Sequence, residues 1–177
     1  MATLTERKVT IGGKPFTLVG PELRVGGVAP SFKLIDGKGQ EVELAQSEGK
    51  VRLIASVHSV DTPICDLETE RFNTEAAKFP DVVIYVVSMD LPFALSRYCG
   101  AKGIASLKAL SDYREASFGA AYGVLIKERR LLARATFVVD RLGVIRYAEY
   151  LPEVGQHPDY DKALAALRET VALKQAA

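Results

Sequence analysis

Val51-Arg-Leu-Ile-Ala-Ser-Val57, then His58-Ser-Val-Asp-Thr-Pro63, then Ile64-Cys65, and beyond Pro80 the run Val82-Val-Ile-Tyr-Val-Val87: the reading of this stretch decides the fold. The first run is apolar enough for a strand buried on both faces. The polar loop to Pro63 separates it from 64–79, where Leu67, Phe72, Ala76 and Phe79 recur near helical spacing and predict a helix. Pro80 stops that helix, and 82–87 is a near-continuous β-branched run suited to the middle of a sheet. A strand, a loop, a helix and a second strand in this order give the alternation expected of an α/β fold.

Downstream the pattern repeats. Pro92 opens a helix that carries Cys99, and Gly100 and Gly103 stand where it should stop. A short strand at 107–110 and a helix at 113–122 follow. Arg134–Val139 and Val144–Tyr150 read as a hairpin through Asp140-Arg-Leu-Gly143, and from Pro158 a last helix shows Tyr160, Leu164, Leu167 and Val171 as its apolar stripe. Upstream, Val9–Ile11 and Phe16–Val19 flank Gly12-Gly13-Lys14-Pro15 as an N-terminal β-hairpin. Phe32–Ile35 forms a further strand before the turn at Asp36–Gly39. Phe72, Phe79 and Tyr85 read as core. The whole is an α/β sandwich with a mixed sheet, and residues 1–177 read as one domain without linker or repeat.

The bulk numbers exclude several classes. With 23 basic and 22 acidic residues the formal charge is +1, which gives no pull toward nucleic acid or an anionic membrane. No apolar run approaches the ~18 residues of a membrane span. The residues after Met1 contain no apolar stretch behind their charges, so no secretory signal is read there and the expected location is cytoplasmic. Two cysteines are too few for a disulfide scaffold, and with only His58 and His157 beside them a zinc site is disfavoured. No metal and no cofactor is expected. Lys127–Arg130 reads as a solvated turn and His157 as an exposed loop residue.

Cys65 owes its interest to its position. It follows a strand, a polar loop and Pro63, which puts it in the first turn of a helix, where unpartnered backbone N–H groups favour an anion and so a thiolate. Thr62 stands either as the N-cap or as a hydroxyl facing the sulfur. Thiolate character alone accelerates little. Moving a thiol's pKa from ~8.5 to ~6 raises its thiolate share at pH 7 about 30-fold, and weaker intrinsic nucleophilicity returns roughly ten- to twentyfold of that. A fast thiol enzyme also needs groups that align the scissile bond and stabilise the departing anion.

Ser59-Val-Asp-Thr62-Pro63-Ile-Cys65-Asp66 resembles the active-site loop of peroxiredoxins, and in particular of the thiol peroxidase subfamily of atypical two-cysteine enzymes. The resemblance extends through Val25–Phe32, Arg97-Tyr-Cys99-Gly-Ala, Phe118 to Val124 and Leu132-Ala-Arg134-Ala, and includes the 34-residue spacing from Cys65 to Cys99. It implies a thioredoxin-like fold, a central mixed sheet flanked by helices. It also implies that Cys65 attacks a hydroperoxide and becomes a sulfenic acid, and that Cys99 condenses with it to an intramolecular disulfide. Thr62 would orient the peroxide, and Arg134 would polarise it and stabilise the thiolate. Thioredoxin would reduce the disulfide, and the enzyme would be a homodimer.

One position departs from the subfamily's Pro-x-x-x-Thr-x-x-Cys motif: His58 stands where the proline is expected. His58 either leaves the site more open or adds a group that switches charge near pH ~6–7. Two other functions use the same residues: a redox sensor in which the cysteine pair switches a partner contact, and a structural domain with inert thiols. A dithiol oxidoreductase is disfavoured, because the positions three away from Cys65 hold Thr62 and Glu68.

Overall fold

The computed structural model describes residues 6–173, so residues 1–5, where the stretch read for a secretory signal begins, lie outside the described residues. The N-terminal hairpin is present: β1 (Arg7–Ile11) pairs antiparallel with β2 (Lys14–Val19). Its turn is tighter than the sequence suggested. Gly12 and Gly13 both take positive φ, +56° and +78°, which lets the two strands close around two residues and leaves Lys14 and Pro15 inside β2.

The other strands are β3 (Lys33–Ile35), β4 (Glu41–Glu43), β5 (Val51–Ser56), β6 (Val82–Ser88), β7 (Lys108–Ser111), β8 (Leu125–Ile126), β9 (Leu131–Leu132), β10 (Ala135–Val139) and β11 (Ile145–Tyr150). Seven of them form the central sheet in the order β11-β10-β5-β6-β7-β3-β4. β5, β6 and β7 run parallel at its centre, while β10 is antiparallel to β5 and β3 to β7, so the sheet is mixed. β1, β2, β8 and β9 make a second, four-stranded sheet.

The helices are α1 (Pro63–Ala76), α2 (Pro92–Lys102), α3 (Ser117–Ala121) and α4 (Tyr160–Ala172). α1 ends three residues before the expected Phe79, in a turn that precedes Pro80. α2 runs through Gly100 and stops at Gly103, whose φ of +66° is the left-handed cap that glycine adopts without strain. α3 is shorter than expected, because Ala116 takes a left-handed φ of +51° and the helix starts only after it. α4 begins two residues after Pro158, with the Asp159 carboxylate accepting the Lys162 N–H at 3.0 Å.

Strand alternation sorts the core into two layers, one on each face of the sheet. Leu53 and Ala55, Ile84 and Val86, and Val138 pack with Phe72 of α1, Leu95 of α2 and Leu164 and Leu167 of α4. Ile54, Tyr85, Val87, Phe137 and Val139 point the other way, into a layer with Phe32, Phe118 and Tyr122. In that second layer Phe118 stacks on Tyr122 with ring centroids 4.4 Å apart, and Phe137 meets Tyr122 edge-on at 5.3 Å. Cys65 and Cys99 both belong to the helical layer.

Candidate active site

Cys65 is the third residue of α1 and is fully buried. The first helical backbone bond runs from Asp66 N–H to the Thr62 carbonyl at 3.0 Å, which leaves the Ile64 and Cys65 amides in the unpaired first turn. Thr62 holds the extended backbone of an N-cap, but its hydroxyl does not cap. It donates to the Ser59 carbonyl at 2.9 Å, which leaves the hydroxyl lone pairs to accept from elsewhere. The loop ahead of the helix is fastened by Asp90, whose carboxylate accepts from Ser59 Oγ at 2.7 Å, Val60 N–H at 2.9 Å and Ser88 Oγ at 2.8 Å.

Arg134 lies just before β10 rather than at its start, and its side chain is buried. Its Nη2 is 3.2 Å from Cys65 Sγ. Nε and Nη2 also donate to the Val154 carbonyl, at 3.3 and 3.2 Å, and Nη1 pairs with Glu68 Oε2. A guanidinium is suited to this task because its planar fork can satisfy three partners at once. Arg97, Arg129 and Arg130 stand away from the sulfur: Arg129 and Arg130 are exposed in the turn after β8, and Arg97 reaches Asp61 at 3.9 Å on the surface.

Glu68 was missed in the sequence. It stands three residues after Cys65, and residues so spaced share one helix face, which is the signal that points to it. It is buried, its Oε1 has no hydrogen-bond partner, and burial lifts its pKa to about 7 against the opposing pull of Arg134. Burial also disfavours the charge on Arg134, yet Glu68 and Cys65 outweigh it and hold the guanidinium above its ordinary value. One fixed positive charge therefore faces two acidic groups, and burial wins at the carboxyl because only one of its oxygens has a donor.

A pocket of about 120 Å³ opens onto this cluster, lined by His58, Thr62, Pro63, Ile64, Arg134, Val154 and Gly155. At roughly 30 Å³ per water, it suits a molecule of a few heavy atoms. His58 is half-buried in its wall, with Nδ1 3.0 Å from the Leu132 carbonyl oxygen. Burial, reinforced by the nearby Arg134 charge, lowers its pKa even though the Leu132 contact works the other way. Any charge switch at His58 is therefore displaced toward more acid conditions than the expected pH ~6–7, and the ring forms part of the pocket wall.

Cys99 is half-buried in α2, its thiol pKa pushed up by burial, and both cysteines are free thiols. A polar clamp joins the two cysteine-bearing helices. Tyr98 donates its hydroxyl to Asp66 Oδ1 at 2.7 Å, and Lys102 Nζ lies 2.8 Å from Asp66 Oδ2 and 3.1 Å from Glu70 Oε1. The Lys102 hydrogen bond is the largest of the effects holding the Asp66 carboxyl below its usual range.

Comparison with known proteins agrees with this geometry. The pattern of the Redoxin family matches residues 24–164. The thiol peroxidase of Bacillus subtilis (strain 168) is 49% identical over 93% of this chain and 98% of its own length. That of Listeria monocytogenes serovar 1/2a is 46% identical, over 92% and 98%. Among solved structures, a peroxiredoxin-like protein from Aquifex aeolicus superposes with a TM-score of 0.87 at 39% identity, covering 93% of this chain and 97% of that one. A thiol peroxidase from Chromobacterium violaceum does so with a TM-score of 0.82 at 27% identity, covering 92% and 95%. The fold is thus thioredoxin-like, and the chain belongs to the redoxin family, in its thiol peroxidase subfamily.

Proposed function

We propose that this protein reduces hydroperoxides through Cys65, and the observation that carries the proposal is Arg134, which lines a small pocket and holds Nη2 3.2 Å from the buried Cys65 sulfur. The Cys65 thiolate attacks one peroxide oxygen. An S–O bond forms as the O–O bond breaks, and the departing oxygen takes a proton to leave as water or an alcohol. Arg134 offers N–H donors where negative charge develops, and Thr62, its proton committed to Ser59, accepts from the peroxide O–H.

Cys99 then condenses with the Cys65 sulfenic acid, releasing water and forming an intramolecular disulfide, and a thioredoxin dithiol returns both to thiols. Its position in the same apolar layer as Cys65 supports this pairing. The step requires the first turn of α1 to unwind, since Cys65 is buried within it. The same reading takes residues 1–177 as one domain, acting in the cytoplasm as a homodimer. The exposed Leu91 and Phe93 at the start of α2 support an association surface. Among the described residues no helix is long and apolar enough to cross a membrane.

The test is single-turnover oxidation of the reduced protein by one equivalent of hydrogen peroxide. Both thiols should disappear within seconds at neutral pH, and peroxide should turn over with thioredoxin and its reductase. Oxidation no faster than that of free cysteine removes the enzyme reading; fast oxidation without turnover leaves the sensor reading.

A further inference from the structure

His58 departs from the motif that the rest of the loop follows, and it stands in the pocket wall beside Thr62 and Arg134. Its Nδ1 is 3.0 Å from the Leu132 carbonyl, an acceptor with no proton to give, so in the neutral ring the proton sits on Nδ1. Leu132 lies two positions before Arg134, so one segment of chain fixes both the imidazole and the guanidinium. With Nδ1 donating, Nε2 is an acceptor, and it has no hydrogen-bond partner among the described residues. Burial and the Arg134 and Arg129 charges keep the ring in this neutral form at neutral pH.

The pocket wall therefore carries two residues with acceptor capacity left over, Thr62 at Oγ1 and His58 at Nε2, alongside the Arg134 guanidinium. A proline at position 58 would offer only the first. Hydrogen peroxide carries an O–H on each oxygen and can engage both acceptors. An alkyl hydroperoxide carries one, and its alkyl group would displace water from the second acceptor without replacing the hydrogen bond.

We propose that His58 is a specificity-determining residue, whose Nε2 accepts the second O–H of hydrogen peroxide and so favours it over alkyl hydroperoxides. The proposal rests on the peroxidase reading above. The chemical step is unchanged: Cys65 sulfur is oxidised and the peroxide reduced, the attacked oxygen keeps its hydrogen in the sulfenic acid, and the departing oxygen takes one proton from solvent. What His58 alters is the fit of the departing half.

The experiment measures second-order rates of Cys65 oxidation by hydrogen peroxide and by tert-butyl hydroperoxide in the full chain and in His58→Pro, His58→Ala and His58→Gln. Taking the ratio of the two rates cancels changes in thiolate supply that affect both substrates. The ratio should favour hydrogen peroxide in the parent and fall about tenfold in the Pro and Ala variants, as expected for one hydrogen bond to a buried acceptor. Gln, which retains an acceptor, should recover part of it. Circular dichroism identifies any variant that does not fold, and a single folded variant lacking the acceptor is sufficient. An unchanged ratio in such a variant overturns the proposal while leaving the peroxidase reading intact. Failure of both peroxides to oxidise the parent protein overturns the peroxidase reading instead.

Discussion

Arg134 Nη2 lies 3.2 Å from Cys65 Sγ although 69 positions separate the two residues in the chain. The contact joins the first turn of α1 to the segment entering β10, and the same guanidinium also holds Glu68 and the Val154 carbonyl. Arg134→Lys keeps a charge but loses the fork, so it cannot serve all three. Cys65 oxidation by hydrogen peroxide should slow roughly a hundredfold, the scale seen when one preorganised donor to a developing anion is removed. Stopped-flow measurement on the reduced variant checks this, and an unaltered rate would show that charge alone suffices.

Glu68 makes stability depend on pH. Its folded-state pKa, about 7, is raised above the ordinary carboxyl value, chiefly by burial. The folded protein therefore holds this proton more tightly than the unfolded chain. The resulting stabilisation is complete below the ordinary carboxyl pKa, near 4.5, and is lost as pH rises through about 7. It amounts to something on the order of 3 kcal/mol. Denaturant unfolding of the parent and of Glu68→Gln should show the parent losing more stability between pH 5.5 and pH 8. Parallel curves would mean that Glu68 stays ionised throughout.

The same substitution should also move the reaction. Gln keeps an oxygen for Arg134 but removes the competing negative charge, so the guanidinium acts more fully on sulfur. Cys65 alkylation by iodoacetamide at neutral pH is expected to be faster in Glu68→Gln than in the parent. A slower reaction would show instead that the carboxylate is needed to aim the guanidinium.

The clamp from Asp66 to Tyr98 and Lys102 ties together the residues that follow Cys65 and flank Cys99. The proposed pairing of Cys65 with Cys99 would have to loosen it. Tyr98→Phe should leave the peroxide step unchanged and speed the following thiol condensation about fivefold, the equivalent of one ordinary hydrogen bond. Two-phase fluorescence or quench-flow mass spectrometry separates the steps. A slower second phase would assign the clamp to guiding the helices together rather than restraining them.

Cys99→Ser should abolish turnover with thioredoxin and leave Cys65 as a sulfenic acid that advances to the sulfinic form under excess peroxide. Intact-mass measurement distinguishes these from the disulfide. Persistent turnover would mean that the reductant acts directly on Cys65.

Much of this arrangement was legible in sequence for local reasons. Pro63 at a helix start and the β-branched run at 82–87 each announce one element, and they place Cys65 correctly in the first turn of α1. β8 and β9 were not legible, because two residues apiece carry no periodicity and are strands only through their partners in the second sheet. Arg134 has no local signature at all; its importance lies in a contact across the fold, and the family resemblance supplied what the local pattern could not. Glu68 was hidden for the opposite reason, since a glutamate in a helix looks ordinary until its burial is known.

The central sheet keeps the two apolar layers apart, with both thiols on the helical side and the stacked Phe118–Tyr122 pair on the other. In the proposed cycle the first turn of α1 opens and re-forms, and each opening would be a chance to misfold. The sheet would then work as a bulkhead: the remodelling would stay in one compartment, and the aromatic compartment behind it would preserve the template on which the opened turn re-forms.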